Sequence, residues 1–163
     1  MFRHVSAIWG DAETMNIHAS AAARNGGAVL LLGPPGIGKS DLLLRLLDRG
    51  WSLVGDDRLV LFTAPGGRLR AAPVPELQGM MEVRGLGIVT GLSWAPAPVR
   101  LAVELAPAEE IARLPAPAEW AALGVAVPLV RLDAATPSAP ARLEMALAVL
   151  AGRRGMKAGA FAA

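Results

Sequence analysis

The sequence predicts an α/β domain with a mixed β-sheet, and three observations lead there. Residues 28–32, Ala-Val-Leu-Leu-Leu, form a continuous apolar run between Gly27 and Gly33, the pattern of a strand buried on both faces. From Lys39 to Arg49, Leu42, Leu43, Leu46 and Leu47 then recur at helical spacing, with Gly50 as the stop. Four further strand-like runs, Ser52–Gly55, Leu59–Phe62, Val99–Leu105 and Val125–Leu132, outnumber the helices. Parallel neighbours need long crossovers, so a sheet with few helices cannot be purely parallel. A last helix is expected to start at a Ser138 cap, carry Leu143, Leu147 and Leu150, and end near Gly155.

A length of 163 residues fits a single domain spanning 1–163. Pro-rich punctuation, as at Pro73/Pro75 and Pro115/Pro117, divides it into short elements without isolating a linker. With 53% apolar and 18% charged residues, the chain can build a core, which excludes a disordered tail or a coiled-coil rod. Aromatic residues are only 4%, with no Tyr, and this argues against binding single-stranded nucleic acid by base stacking. The absence of Cys removes disulfides, thiolate metal sites and Cys nucleophiles together, and it fits a reducing, cytoplasmic setting. Sixteen Lys+Arg against fourteen Asp+Glu leave a net charge of only +2. The pI near 9.9 reflects a chain with almost nothing to titrate above neutrality, so nucleic acid is not an expected partner. No apolar run approaches the ~18 residues of a membrane span, and Met1–His4 leads into Asp11 and Glu13 rather than an apolar signal core. A membrane is not an expected partner either.

The strongest local signal is Gly33-Pro34-Pro35-Gly36-Ile37-Gly38-Lys39-Ser40, a G-x-x-x-x-G-K-S match between a buried strand and an amphipathic helix. Glycines let the backbone wrap a phosphate without Cβ clashes, and the helix start adds its positive dipole end. Lys39 would neutralise the β- and γ-phosphates, and the Ser40 hydroxyl would ligate Mg²⁺. The chain has fourteen Arg and only two Lys, Lys39 and Lys157. One of the two therefore stands where a compact ammonium is needed rather than a planar fork.

Downstream, Asp56-Asp57 is the only adjacent Asp pair and ends a short strand. A strand-end carboxylate beside such a loop can hold Mg²⁺ or accept a proton from an attacking hydroxyl. Adjacent strand residues point to opposite sides, so one Asp is expected to face the phosphate while the other pairs elsewhere, with Arg58 at hand. Without the loop upstream, the pair would read as a solvated turn. In Met81-Glu82-Val83-Arg84-Gly85-Leu86-Gly87-Ile88, Glu82 and Arg84 alternate with apolar residues, and the glycines permit close backbone approach. A bulged edge strand explains that pattern equally well. His18 lies fifteen residues before Gly33 between small residues and reads either as a structural histidine or as part of a site. No HExxH, His cluster or Ser-His-Asp order supports a zinc or acyl-transfer chemistry.

Together, Gly33–Ser40, the stretch Arg49-Gly50-Trp51-Ser52-Leu53-Val54-Gly55-Asp56-Asp57-Arg58 and the stretch Met81–Ile88 resemble the HPr kinase/phosphorylase family. Its members phosphorylate a serine of the phosphocarrier protein HPr with ATP and can reverse this by phosphorolysis. The resemblance runs from about His18 to near the C-terminus. It implies a P-loop domain similar to the HPr kinase/phosphoenolpyruvate carboxykinase-like nucleotide-binding fold, with ATP and Mg²⁺ as cofactors and a homohexameric assembly. Carried over by position, it gives His18 a catalytic place, makes Asp57 the general base with Asp56 beside it, and makes Glu82 a Mg²⁺ ligand alongside Ser40. Arg113, in Ile111-Ala112-Arg113-Leu114, resembles a catalytic arginine through a looser match, and a surface charge is its plain alternative.

Two departures mark the chain as similar to a short form of the family. It begins almost at the catalytic domain, so no separate N-terminal domain is expected. The Pro-Gly-Arg-Asn-type loop linked to the reverse reaction is replaced by Leu132-Asp133-Ala134-Ala135-Thr136-Pro137-Ser138, so kinase activity is expected and phosphorolysis weak or absent. Arg153, Arg154 and Lys157 could help dock a protein substrate, or simply sit at a helix C-terminus that favours cations. Two other functions compete: a nucleotide-binding regulatory sensor that transfers no phosphate, and a P-loop kinase for a small molecule.

Overall fold

A computed structural model of the chain describes residues 2–4 and 13–163. Its first strands are β1 (Phe2–His4), β2 (Glu13–Ile17), β3 (Ser20–Arg24), β4 (Gly27–Leu32), β5 (Ser52–Gly55) and β6 (Leu59–Thr63). They are followed by β7 (Leu69–Pro73), β8 (Met81–Val83), β9 (Gly87–Val89), β10 (Ala97–Leu105), β11 (Glu119–Ala122) and β12 (Val125–Leu132). The helices are α1 (Lys39–Asp48) and α2 (Ala139–Leu150).

The sheet is mixed, as the short strands and few helices predict. β4, β10 and β12 run parallel, while β3 pairs antiparallel with both β4 and β5. β10 is long enough to serve two partners: its first residues pair antiparallel with β7, and its remainder lies against β4 and β12. Through β7 the sheet continues into the antiparallel ribbon β7-β6-β2-β1. β8 and β9 form a separate hairpin, where the sequence offered a bulged edge strand.

Alternation along β4 explains why its sequence is apolar throughout. Val29 and Leu31 join Leu101 and Val103 of β10, Leu42, Leu43 and Leu46 of α1, and Leu143 and Leu147 of α2 in one core. Ala28 and Leu30 face the other way, into a second core with Leu59, Leu61, Leu69 and Ala71 of the antiparallel ribbon. A strand with a core on each side has no face left for a polar residue. At about 1.5–3 kcal/mol per fully buried Leu, these two cores hold the layers together.

α2 departs from its expected ends. Ser138 precedes it but makes no side-chain cap; its hydroxyl instead accepts a hydrogen bond from Arg142 Nε at 2.9 Å. Pro140 occupies the first turn, where a missing N–H costs nothing. The helix stops at Leu150, with Gly152 turning left-handed at φ 77°, before Gly155 is reached. No helix among the described residues is long and apolar enough to cross a membrane.

The topology collects chain ends at one edge. β4, β5, β10 and β12 all point the same way, so Gly33, Asp56, Ala106 and Asp133 emerge together, as does the start of β3. In open α/β sheets this edge is where ligands bind.

Candidate functional site

Between β4 and α1 the chain turns through Gly33, Gly36 and Gly38 at φ 146°, 83° and 109°, conformations that favour glycine. A Cβ at Gly33 would lie 2.9 Å from Ile37 Cγ2, and one at Gly38 3.0 Å from Ala134 Cβ. The N–H groups of Gly36, Gly38, Lys39 and Ser40 take no backbone partner among the described residues. At a helix start such groups form a positively polarised cradle suited to an oxyanion. Lys39 Nζ donates to the carbonyl oxygens of Gly33 and, at 2.9 Å, of Pro34, bracing the loop across its mouth.

Asp56 is the hub beside this loop. It is 5% exposed, and its Oδ1 accepts hydrogen bonds from Ser20 Oγ and Ser40 Oγ, both at 2.8 Å. Its Oδ2 faces the Glu82 N–H at 3.4 Å. The antiparallel register Ala21–Gly55 puts Ser20 next to Asp56, and the register Ser20–Leu31 brings the same serine to the end of β4. Ser20 Oγ also accepts the Asp57 N–H at 3.1 Å.

Asp56 and Asp57 divide as expected, one to the cleft and one to partners elsewhere, but a turn rather than the strand pleat separates them. The strand ends at Gly55, and Asp57 adopts a left-handed φ of 67°, so the two no longer follow the pleat. Asp57 lines the cleft, while buried Asp56 accepts hydrogen bonds from Ser20 and Ser40. Arg58 forms an ion pair with neither among the described residues.

The cleft, of about 370 Å³, gathers Lys39, Ser40 and Asp41 from α1, Asp57 from the turn after β5, and Glu82 and Arg84 from the β8–β9 hairpin. Met81 anchors that hairpin in the helix-side core, leaving Glu82 and Arg84 exposed. Lys39, Ser40, Asp57 and Glu82, singled out from sequence, thus share one cleft with Gly36, Gly38 and Pro35 of the loop. His18 is exposed, one residue before Ala19, whose N–H donates to the Asp57 carbonyl at 3.1 Å. Arg113 stands apart on an exposed, irregular stretch before β11 and does not line the cleft. Sequence reasoning gave Ser20 no role, because an Ser-Ala-Ala-Ala run carries no chemical signal. The central place of Asp56 was equally hidden behind its neighbour.

Among the described residues no group of three or more His, Asp or Glu side chains is placed to hold a metal ion by itself. Ser40 and Glu82 line the cleft, with Asp56 bonded to the Ser40 hydroxyl, so the oxygens at hand are few. That suits Mg²⁺, which keeps waters and phosphate oxygens in its shell rather than entering an all-protein cage.

The chain is similar to known proteins in sequence and in fold. The chain is 38% identical over 78 residues to HPr kinase/phosphorylase of Brevibacillus brevis, covering 48% of this chain and 25% of that protein. It is 39% identical over 82 residues to HPr kinase/phosphorylase of Lactococcus lactis, covering 50% and 26%, and 40% identical over 78 residues to that of Bordetella petrii, covering 48% and 25%. The aligned stretch spans about a quarter of the length of these relatives. In fold, the chain is similar to the Hpr(Ser) kinase/phosphatase structure from Coxiella burnetii, with a TM-score of 0.72 at 24% identity, covering 85% of this chain and 97% of that one. The family model described as HPr Serine kinase C-terminal domain matches residues 11–94, which hold the glycine loop, the Asp pair and the β8–β9 hairpin, and the chain therefore belongs to that family.

Proposed function

We propose that the chain is an ATP-dependent protein kinase that phosphorylates a serine of the phosphocarrier protein HPr. One observation carries this reading: a single cleft gathers Lys39, Ser40, Asp57 and Glu82, with the Ser40 hydroxyl fastened to buried Asp56. The loop Gly33–Ser40, comprising Gly33, Pro34, Pro35, Gly36, Ile37, Gly38, Lys39 and Ser40, would hold the triphosphate through its free N–H groups and the Lys39 ammonium. Ser40 and Glu82 would hold Mg²⁺, which when bound screens charge on the transferring phosphoryl group. The serine oxygen of HPr forms a bond to the γ-phosphorus as the bond from that phosphorus to the bridging oxygen breaks. ADP leaves, and Asp57 accepts the serine proton. His18 takes a catalytic place from the family resemblance; the next residue, Ala19, donates its N–H to the Asp57 carbonyl. The catalytic place of Arg113 rests on the family resemblance alone, and since Arg113 lies outside the cleft it takes no step here. Positioning and electrostatics supply most of the catalysis in such transfers.

The reverse reaction is expected to be weak or absent. The turn Asp133–Ser138 holds no arginine; Arg45 of α1 grips it from outside, through the carbonyl oxygens of Ala134 and Thr136. ATP and HPr as substrates place the activity in the cytoplasm, in a homo-oligomer that the family resemblance makes a hexamer.

The test is purified protein with Mg·ATP and HPr, read by intact mass and phosphosite mapping. Phosphoserine on HPr is expected, and none over a broad range of ATP concentrations overturns the kinase reading. Asp57→Asn separates it from a sensor: the kinase keeps ATP binding and loses transfer, whereas a sensor is indifferent. Phospho-HPr with inorganic phosphate should release little or no pyrophosphate.

A further inference from the structure

We propose that a second cleft, at the opposite end of β4 from the glycine loop, binds a small dianion. It has a volume of about 530 Å³, and Arg24, Arg100 and Arg153 line it beside Leu147, Leu150 and Pro128. Between Gly27 and Gly33 lie six residues' rise, roughly 20 Å of extended strand, so this cleft is distinct from the one at Lys39.

Charge is the first argument. Arg24 Nε lies 3.6 Å from Glu144 Oε1, and its Nη1 donates to the Arg49 carbonyl at 3.2 Å. The guanidinium groups of Arg100 and Arg153 have no ion-pair partner among the described residues. One carboxylate against three guanidinium groups leaves two positive charges uncompensated, the complement of a dianion. Guanidinium forks also suit phosphate or carboxylate oxygens better than any ammonium.

The second argument is that Arg100 is set in place by the backbone. The β10–β4 register shifts between Val99 and Leu101, so Arg100 is the irregular residue of the ladder, the kind of position that re-aims a side chain. Its stem lies across Gly27, where a Cβ would come within 2.5 Å of Arg100 Cγ. Gly26 needs glycine for its left-handed φ of 80°. Gly27 does not: it is glycine because Arg100 occupies the space. A concave cleft of this size favours a small molecule over a protein surface.

The test is calorimetric titration of the Lys39→Ala chain, whose glycine loop lacks its cation, with inorganic pyrophosphate and separately with succinate. One equivalent of pyrophosphate should bind. Binding of pyrophosphate alone assigns the site to phosphate-bearing ligands, and binding of both anions assigns it to dianions at large. Adding Arg100→Gln or Arg153→Gln should weaken binding by about tenfold or more, the worth of one charge-assisted contact. Gly27→Ala should weaken it too, with every arginine still present. Binding should also change Trp51 fluorescence, because Trp51 Nε1 donates to Glu144, the partner of Arg24, at 3.0 Å. The proposal is overturned if Lys39→Ala binds neither anion, or if exposed Arg153→Gln and Arg100→Gln leave affinity unchanged. It is also overturned if Arg100→Gln converts an oligomer to monomer in sedimentation, which would make this face a subunit contact.

Discussion

Replacing Ser20 by Ala deletes one oxygen atom at a fully buried position and breaks two hydrogen bonds. Asp56 Oδ1 loses one of its two hydroxyl donors, at 2.8 Å, and the Asp57 N–H loses its acceptor at 3.1 Å. A hydrogen bond to a carboxylate contributes about 1.5–3 kcal/mol and a neutral one about 0.5–1.5 kcal/mol, so unfolding should become easier by about 2–4 kcal/mol. For a chain of this length that is a fall in Tm of roughly 4–16 °C. Urea titration should move the midpoint with the slope unchanged. The same change loosens Asp56 and Asp57 against Ser40, so phosphoryl transfer to HPr should fall even at temperatures where the variant is fully folded.

Ser20 and Ser40 donate to the same oxygen, Asp56 Oδ1, so their effects should not add. A double-mutant cycle of Ser20→Ala with Ser40→Ala should give a coupling of about 0.5–3 kcal/mol. Strict additivity, or a Ser20→Ala loss below about 0.5 kcal/mol, would refute the shared-carboxylate reasoning.

Three further changes separate the loop, the carboxylates and the core. Asp56→Asn keeps the shape but makes one terminal group a donor facing two hydroxyls and an N–H; Mg·ATP affinity, read by titration, should drop about tenfold or more. Gly38→Ala forces a side chain into φ 109° and against Ala134 Cβ at 3.0 Å; strain of about 1–3 kcal/mol should weaken nucleotide binding while far-ultraviolet dichroism stays unchanged. Leu46→Ala empties a fully buried position on α1; a loss of about 2–5 kcal/mol in thermal or urea unfolding is expected.

Where the fold was legible in the sequence, the signal was a long apolar run or a helical spacing. β4, β10, β12 and α1 announce themselves this way, and their bounds lie within a residue or two of expectation. β3 and β7 do not. Ser20–Arg24 is mostly alanine and Leu69–Pro73 reads Leu-Arg-Ala-Ala-Pro, and neither carries β-branched bulk or a clear alternating pattern. Their reason for being strands is tertiary: β3 lies between β4 and β5 with Ala22 in one core and Ala21 in the other. Small side chains let layers approach there, and no local propensity records that.

The candidate site divides along the same line. Lys39 and Ser40 were legible because glycine spacing is a local code, and Glu82 because its stretch is distinctive. The bond from Ser20 to Asp56 spans thirty-six positions and exists only through the register of β3 on β5, so nothing local foretells it. This difference has a consequence for experiment. Asp57 is exposed and already left-handed, a conformation that Asn tolerates as well as Asp. Asp57→Asn should therefore leave stability within about 0.5 kcal/mol and isolate the chemistry, whereas Ser20→Ala moves fold and site together. A large loss of stability in Asp57→Asn would mean that its carboxylate holds the turn itself, and that the proton acceptor must be sought elsewhere in the cleft.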